Sequence, residues 1–189
     1  MRICNIFPSS IAIDDLEIDK QRIKNACLNL LSANVSNDDD NYCYFNLLEE
    51  PEMDELKTSI LYRLQLLQNH FEFSDDSEFI ISRAWVNGGN RNNINIAHVH
   101  RNFTFSGVYH VSGDFLSSKL TFMTPIQAQP FIFKKPNIKK FNEFNSDLWE
   151  IPFAEGKLII FPSWLVHYVE YNSNNDNNRI SIAFDITLT

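Results

Sequence analysis

Nowhere in its 189 residues does the sequence hold an apolar run approaching the roughly 18 residues that span a bilayer. The opening MRICNIFPSS also lacks the longer apolar stretch of a secretory signal. Cysteine is scarce: Cys4, Cys27 and Cys43 are odd in number, widely separated and without a CxxC pair, which reads as free thiols in a reducing compartment. The expectation is a cytoplasmic protein with no membrane partner. Basic residues are outnumbered, 16 Lys and Arg against 24 Asp and Glu, for a net charge of −8. Nucleic-acid binding rests on concentrated positive charge, so that balance disfavours a nucleic-acid partner. One local exception, FKKPNIKKF from Phe133 to Phe141, places four lysines around a proline. It reads either as a solvated loop or as a lid that meets an acidic substrate. No internal repeat is visible, and the Asn-rich pieces NGGNRNNIN and YNSNNDNNR read as turns between strands.

What the chain has is core-forming material. Hydrophobic residues make up 44%, including 16 Phe, and the charged fraction of 21% is too balanced for disorder. One domain over residues 1–189 is expected. From Ile18 to Leu31 the apolar residues Ile18, Ile23, Ala26, Cys27, Leu30 and Leu31 recur at mostly helical spacing. Glu52 to Phe71 repeats Met53, Leu56, Ile60, Leu64 and Leu67, with Pro51 suited to a first turn. His70 falls at the end of that helix beside Phe71 and Phe73. After Phe73 the pattern turns to short segments rich in β-branched and aromatic residues: EFIISRAWVN, NINIAHVH, FSGVYHVS, KLTFMT, AQPFIFK, WEIPF, GKLIIFPS, VHYVEY and RISIAFDITL. Nine strands without intervening helices predict a mainly β, antiparallel sandwich or barrel over 76–189. The helices of 1–75 are expected to pack on the outside of one sheet.

Five histidines are present, and two of them stand in AHVHRNFTFSGVYHV, at His98 and His100. In an extended strand, side chains two positions apart project to one side about 7 Å apart, within reach of one metal ion. A third ligand is needed, and His167, just after GKLIIFPSWLV, is the candidate. Twelve positions on, across an Asn-rich hairpin, Arg179 opens RISIAF, so its strand can return beside that of His167. An inward Arg between apolar neighbours needs an anion, and a planar guanidinium suits a carboxylate. Ser181 shares its face and adds a hydroxyl. A diacid held by the metal at one end and by Arg179 at the other would satisfy both groups. The competing reading pairs Arg179 with Asp185 or Glu170.

Four ordered pieces, WVNGGN, HVHRNFTFSGVYHV, GKLIIFPSWLVHYV and RISIAF, together resemble the 2-oxoglutarate and iron(II)-dependent oxygenases, and within them a small group from marine phages and bacteria. The opening IFPSSI resembles that group as well. The resemblance implies a double-stranded β-helix, or jelly roll, holding Fe(II) at its open end through His98, His100 and His167. Arg179 and Ser181 match the Arg-x-Ser that receives the far carboxylate of 2-oxoglutarate. The implied reaction consumes O2, decarboxylates 2-oxoglutarate to succinate and hydroxylates a C–H bond of a substrate, a small molecule or protein side chain, that the sequence does not name. His100 stands where the superfamily has a carboxylate, which leaves three neutral imidazoles on the metal. Asp114 and Glu170 are the alternative carboxylates, and neither has favourable strand spacing. His110 replaces a tyrosine that in related oxygenases bonds the far carboxylate. It can do the same through a ring N–H, more strongly if protonated, or it can be a packed interior residue. Asn87 is expected to line the pocket, Trp85 to pack and Trp164 to sit at the rim. Two other functions fit the same residues: a cupin-type three-histidine dioxygenase that uses no oxoacid, and a non-catalytic jelly-roll binding module.

Overall fold

The helical spacing near the start of the chain becomes two helices that bury one stripe each. In the computed structural model, which describes residues 1–3, 8–33, 46–88, 95–113, 119–126, 137–169 and 179–189, α1 covers Lys20–Ala33 and buries Ile23 and Cys27. Helix α2 covers Asp54–Phe71 and buries Leu56, Ile60, Leu64 and Leu67. Pro51 opens a short 3-10 turn, Pro51–Met53, that leads into it, and Asp54 and Glu55 occupy its first turn, where the helix dipole favours anions. It stops where Glu72 takes a left-handed φ of 53° and the N–H groups of Glu72 and Phe73 turn back to the carbonyls of Asn69 and Gln68. His70 sits at that end, edge-on to Phe71 at 5.1 Å. Among the described residues, no helix is long and apolar enough to cross a membrane.

The remainder is antiparallel sheet. The strands are β1 (Ala12–Asp15), β2 (Phe79–Gly88), β3 (Asn95–His98), β4 (Phe105–Ser112), β5 (Leu120–Met123), β6 (Leu148–Ile151), β7 (Lys157–Pro162), β8 (His167–Val169) and β9 (Ile180–Leu188). They form a five-stranded sheet, β1-β7-β4-β9-β2, and a four-stranded sheet, β3-β8-β5-β6. Eight of the nine strand segments expected from sequence are present. The ninth, AQPFIFK, lies outside the described residues. Strand β1 was not expected: AIDD is short, acidic and largely exposed, and it becomes a strand only because β7 offers it an edge.

Alternation along the larger sheet builds two cores. Tyr109, Val111, Leu158, Ile160, Ile182 and Phe184 face the helices, whereas Ile159 and Phe161 face the second sheet and meet Leu120, Phe122, Ile151 and Val169. The helices therefore cover one side of a jelly roll, and the other side encloses its interior. Each large apolar side chain removed from water contributes about 1.5–3 kcal/mol. Gly107 is needed in the first core, because any side chain there would collide with the ring of Phe184 on the neighbouring strand.

Candidate metal centre and anion pocket

The same alternation that buries the apolar residues turns a set of polar ones inward. His98 ends β3 and His167 begins β8, and the register sets the two directly opposite each other. His100 follows two residues after His98, with its N–H bonded to the Ser163 carbonyl at 2.9 Å. The three rings gather, with centroid separations of 4.4 Å for His98–His167 and 5.1 Å for each of the other pairs. Their ligand atoms lie within 4.8 Å of one another.

Each Nδ1 is already engaged. That of His98 donates to the Ile96 carbonyl at 2.6 Å, that of His167 to the Leu165 carbonyl at 2.9 Å, and that of His100 to Asp185 Oδ1 at 2.5 Å. The proton sits on Nδ1 in each ring, which leaves every Nε2 with a bare lone pair. Nε2 of His98 and Nε2 of His100 are 3.1 Å apart. Two lone pairs at that separation repel, and a proton or a metal ion held between them relieves the repulsion. Imidazoles bound at about 2.1 Å and at right angles would stand about 3.0 Å apart, so the donor set fits a divalent metal. His167 is held neutral, with its pKa pushed down to about 4 chiefly by burial, against an opposing contribution from its bond to the Leu165 carbonyl.

Behind His100 stands a carboxylate that is fully buried. Asp185 accepts from His100, from Ser106 Oγ at 2.6 Å and from Arg83 Nε at 2.5 Å. Phe161, Ser106, Asp185 and Arg83 form one cross-strand row over β7, β4, β9 and β2. Burial pulls the Asp185 pKa upward, but the hydrogen bonds from His100, Ser106 and Arg83 outweigh it and hold the carboxyl below its usual range. Arg83 lies between the rings of Phe103 at 4.7 Å and Trp85 at 5.2 Å, and Trp85 stacks on His100 at 5.8 Å.

A second polar row crosses the same inner face four residues earlier on β9. His110, Ser181 and Asn87 are direct neighbours on β4, β9 and β2. The His110 ring lies flat on Phe153 at 4.2 Å and its Nδ1 accepts from the Ala154 N–H at 3.3 Å, so Nε2 carries the proton. That Nε2–H is buried without a partner among the described residues. Burial, reinforced by Arg179, pushes the His110 pKa down to about 3, so it donates as a neutral ring and not as the cation. Arg179 leans over Phe153 at 5.7 Å, and its Nε is also buried without a partner among the described residues. Burial lowers its pKa to about 10, and among the described residues no carboxylate is paired with it. Asp185, one of the two partners in the competing reading, is taken by Arg83, Ser106 and His100.

Residues 83–185, more than half of the chain, match the sequence family described as "Putative 2OG-Fe(II) oxygenase". The chain belongs to that family. This oxygenase matches no curated protein sequence. It superposes on AviO1 from Streptomyces viridochromogenes Tue57 with a TM-score of 0.61 at 15% identity, covering 95% of this chain and 90% of that one. HygX from Streptomyces hygroscopicus, solved with nickel and 2-oxoglutarate bound, gives 0.59 at 8% identity over 95% and 83%. A prolyl-4-hydroxylase from Pseudomonas putida gives 0.56 at 12% over 95% and 88%. These similarities carry the jelly-roll fold.

The oxygenase thus gathers His98, His100 and His167 at one place, and sets Asn87, His110 and Ser181 in one row with Arg179 two residues beyond. Trp85 packs on His100, and Trp164 is exposed in the turn after β7. Asp114 and Glu170 lie outside the described residues, as does part of the lysine-rich segment. Sequence reasoning missed the task of Asp185 and its support by Arg83 and Ser106. Alternation already placed Asp185 on the face of Ser181, which was the available signal. It also missed the aromatic row that continues from two of the clustered histidines: His98, His167, Phe122 and Trp149 are successive neighbours on β3, β8, β5 and β6.

Proposed function

We propose that this oxygenase hydroxylates a C–H bond of its substrate, holding Fe(II) through Nε2 of His98, His100 and His167. On this reading the far carboxylate of 2-oxoglutarate meets Arg179, Ser181 and His110, with Asn87 in the pocket wall. The supporting observation is a pair of unmet needs on the interior of one jelly roll: two Nε2 lone pairs 3.1 Å apart, and two buried N–H donors with no acceptor among the described residues. Fe(II) with O2 and 2-oxoglutarate supplies the oxidising chemistry, in which 2-oxoglutarate becomes succinate and CO2 while one oxygen atom enters the substrate C–H bond.

The chain's own residues do the rest. Arg179 provides a fixed positive charge in a water-poor setting, where a charge-assisted hydrogen bond is strongest. His110 adds a neutral donor that Phe153 keeps in place. Phe122 and Trp149 extend the metal row into an aromatic wall whose last member is 43% exposed, a surface for the apolar part of a small molecule or protein side chain. The buried free thiol of Cys27 fits the reducing cytoplasm.

The test is anaerobic titration of 2-oxoglutarate into Fe(II)-loaded protein, followed by the visible charge-transfer band of the chelate, and then succinate release under air. A saturable band and succinate support the reading. Metal uptake without a band favours the cupin-type dioxygenase, and failure to take up any divalent ion favours a non-catalytic module.

A further inference from the structure

We propose that Asp185 is a positioning residue that fixes the tautomer of His100 and so makes its Nε2 a metal ligand, an inference that rests on the three-histidine reading above. The backbone performs this task for the other two rings: the carbonyls of Ile96 and Leu165 take the Nδ1 protons of His98 and His167. No side-chain substitution removes those acceptors. His100 alone relies on a side chain, Asp185 Oδ1 at 2.5 Å. A carboxylate offers only acceptors, so the proton stays on Nδ1 and the lone pair on Nε2.

The neighbours of Asp185 make the dependence sharper. Oδ2 faces Arg83 Nε, which can only donate, and Oδ1 faces both His100 and Ser106. In Asp185→Asn the amide oxygen must turn to Arg83, which aims the NH2 at His100 and Ser106. Ser106 Oγ can accept it by passing its own hydrogen to Ser163 Oγ, 2.8 Å away. His100 Nδ1 must then accept as well. Its proton moves to Nε2, where it blocks the metal. Removing the donor that dictates the amide's orientation should release the block: in Asp185→Asn/Arg83→Met the amide is free to offer its oxygen to His100.

The experiment measures Co(II) affinity by competition with a chromophoric chelator, alongside nitrogen-15 NMR of the histidine rings in metal-free protein at pH 8. The wild type should bind Co(II) and show His100 protonated on Nδ1 only. Asp185→Asn should bind roughly 10- to 100-fold more weakly, with His100 protonated on Nε2. The double variant should regain at least half of the loss on a logarithmic scale and return the proton to Nδ1. A residue that merely supports the fold would leave the double variant no better than the single one, and that result overturns the inference. Equal Co(II) affinity in wild type and Asp185→Asn overturns it while the metal site stands. A wild-type His100 protonated on Nε2 overturns it without any variant. No Co(II) uptake by the wild type overturns the three-histidine site and this inference together.

Discussion

Replacing Arg179 with Met should stabilise the metal-free protein and abolish its hold on 2-oxoglutarate. The guanidinium has no carboxylate partner among the described residues, its Nε is enclosed, and burial lowers its pKa from the ordinary arginine range to about 10. At 1.36 kcal/mol per unit that fall corresponds to roughly 3 kcal/mol of unfavourable burial, and the partial solvent contact of the residue reduces it to about 1–2 kcal/mol. Because the folded pKa is depressed for a base, the cost is present at every pH below about 10. Met keeps the length of the stem without the charge. The metal-free variant should therefore melt about 2–8 °C higher, given about 2–4 °C per kcal/mol for a chain of this size. Binding moves the opposite way. Two charge-assisted hydrogen bonds at about 1.5–3 kcal/mol each correspond to a loss of 2-oxoglutarate affinity of roughly 100-fold or more. Differential scanning fluorimetry without metal and the charge-transfer titration with Fe(II) read the two effects separately. A variant that melts lower and binds 2-oxoglutarate unchanged would refute the argument, because Arg179 would then be a satisfied structural residue.

The buried histidines make a prediction about acid. His110 and His167 have folded pKa values of about 3 and about 4, both below the ordinary 6.5, so the stability gained by keeping them neutral is complete above about 6.5 and is lost as pH falls toward those values. Each group costs about 1.4 kcal/mol per pH unit in that window. Urea unfolding of metal-free protein at several pH values should show the slope, and His110→Gln should remove about half of it; an unchanged slope would contradict the assignment. Gly107→Ala should lower stability by about 1–3 kcal/mol, seen as a lower urea midpoint, because the Phe184 ring has to move out of its seat under the helices. Wild-type stability in that variant would show that the ring is not constrained there.

Both helices were legible because a stripe such as Leu56, Ile60, Leu64 and Leu67 is a local pattern that any packed neighbour will bury. The strands around His98, His110, His167 and Arg179 were legible for the same reason, since alternation is a property of the backbone. Strand β1 was not, because AIDD has little intrinsic preference and owes its conformation to the edge of β7. The competing pairing of Arg179 with Asp185 failed on register: pairing sets Asp185 beside Ser106 and Arg83, four residues from the row of Ser181.

The sequence by itself determined which residues alternate inward and which chemistry they offer: imidazoles at His98, His100 and His167, a guanidinium at Arg179, a hydroxyl at Ser181. Those are consequences of residue type and of periods of 2 and 3.6 along one chain. Only the tertiary structure decided that the ligand atoms of three histidines lie within 4.8 Å of one another, that His110 Nε2 and Arg179 Nε have no acceptor among the described residues, and that Asp185 stands behind His100. Hydrogen-bond partners and burial depend on strands far apart in sequence coming into register, and no local period encodes that distance.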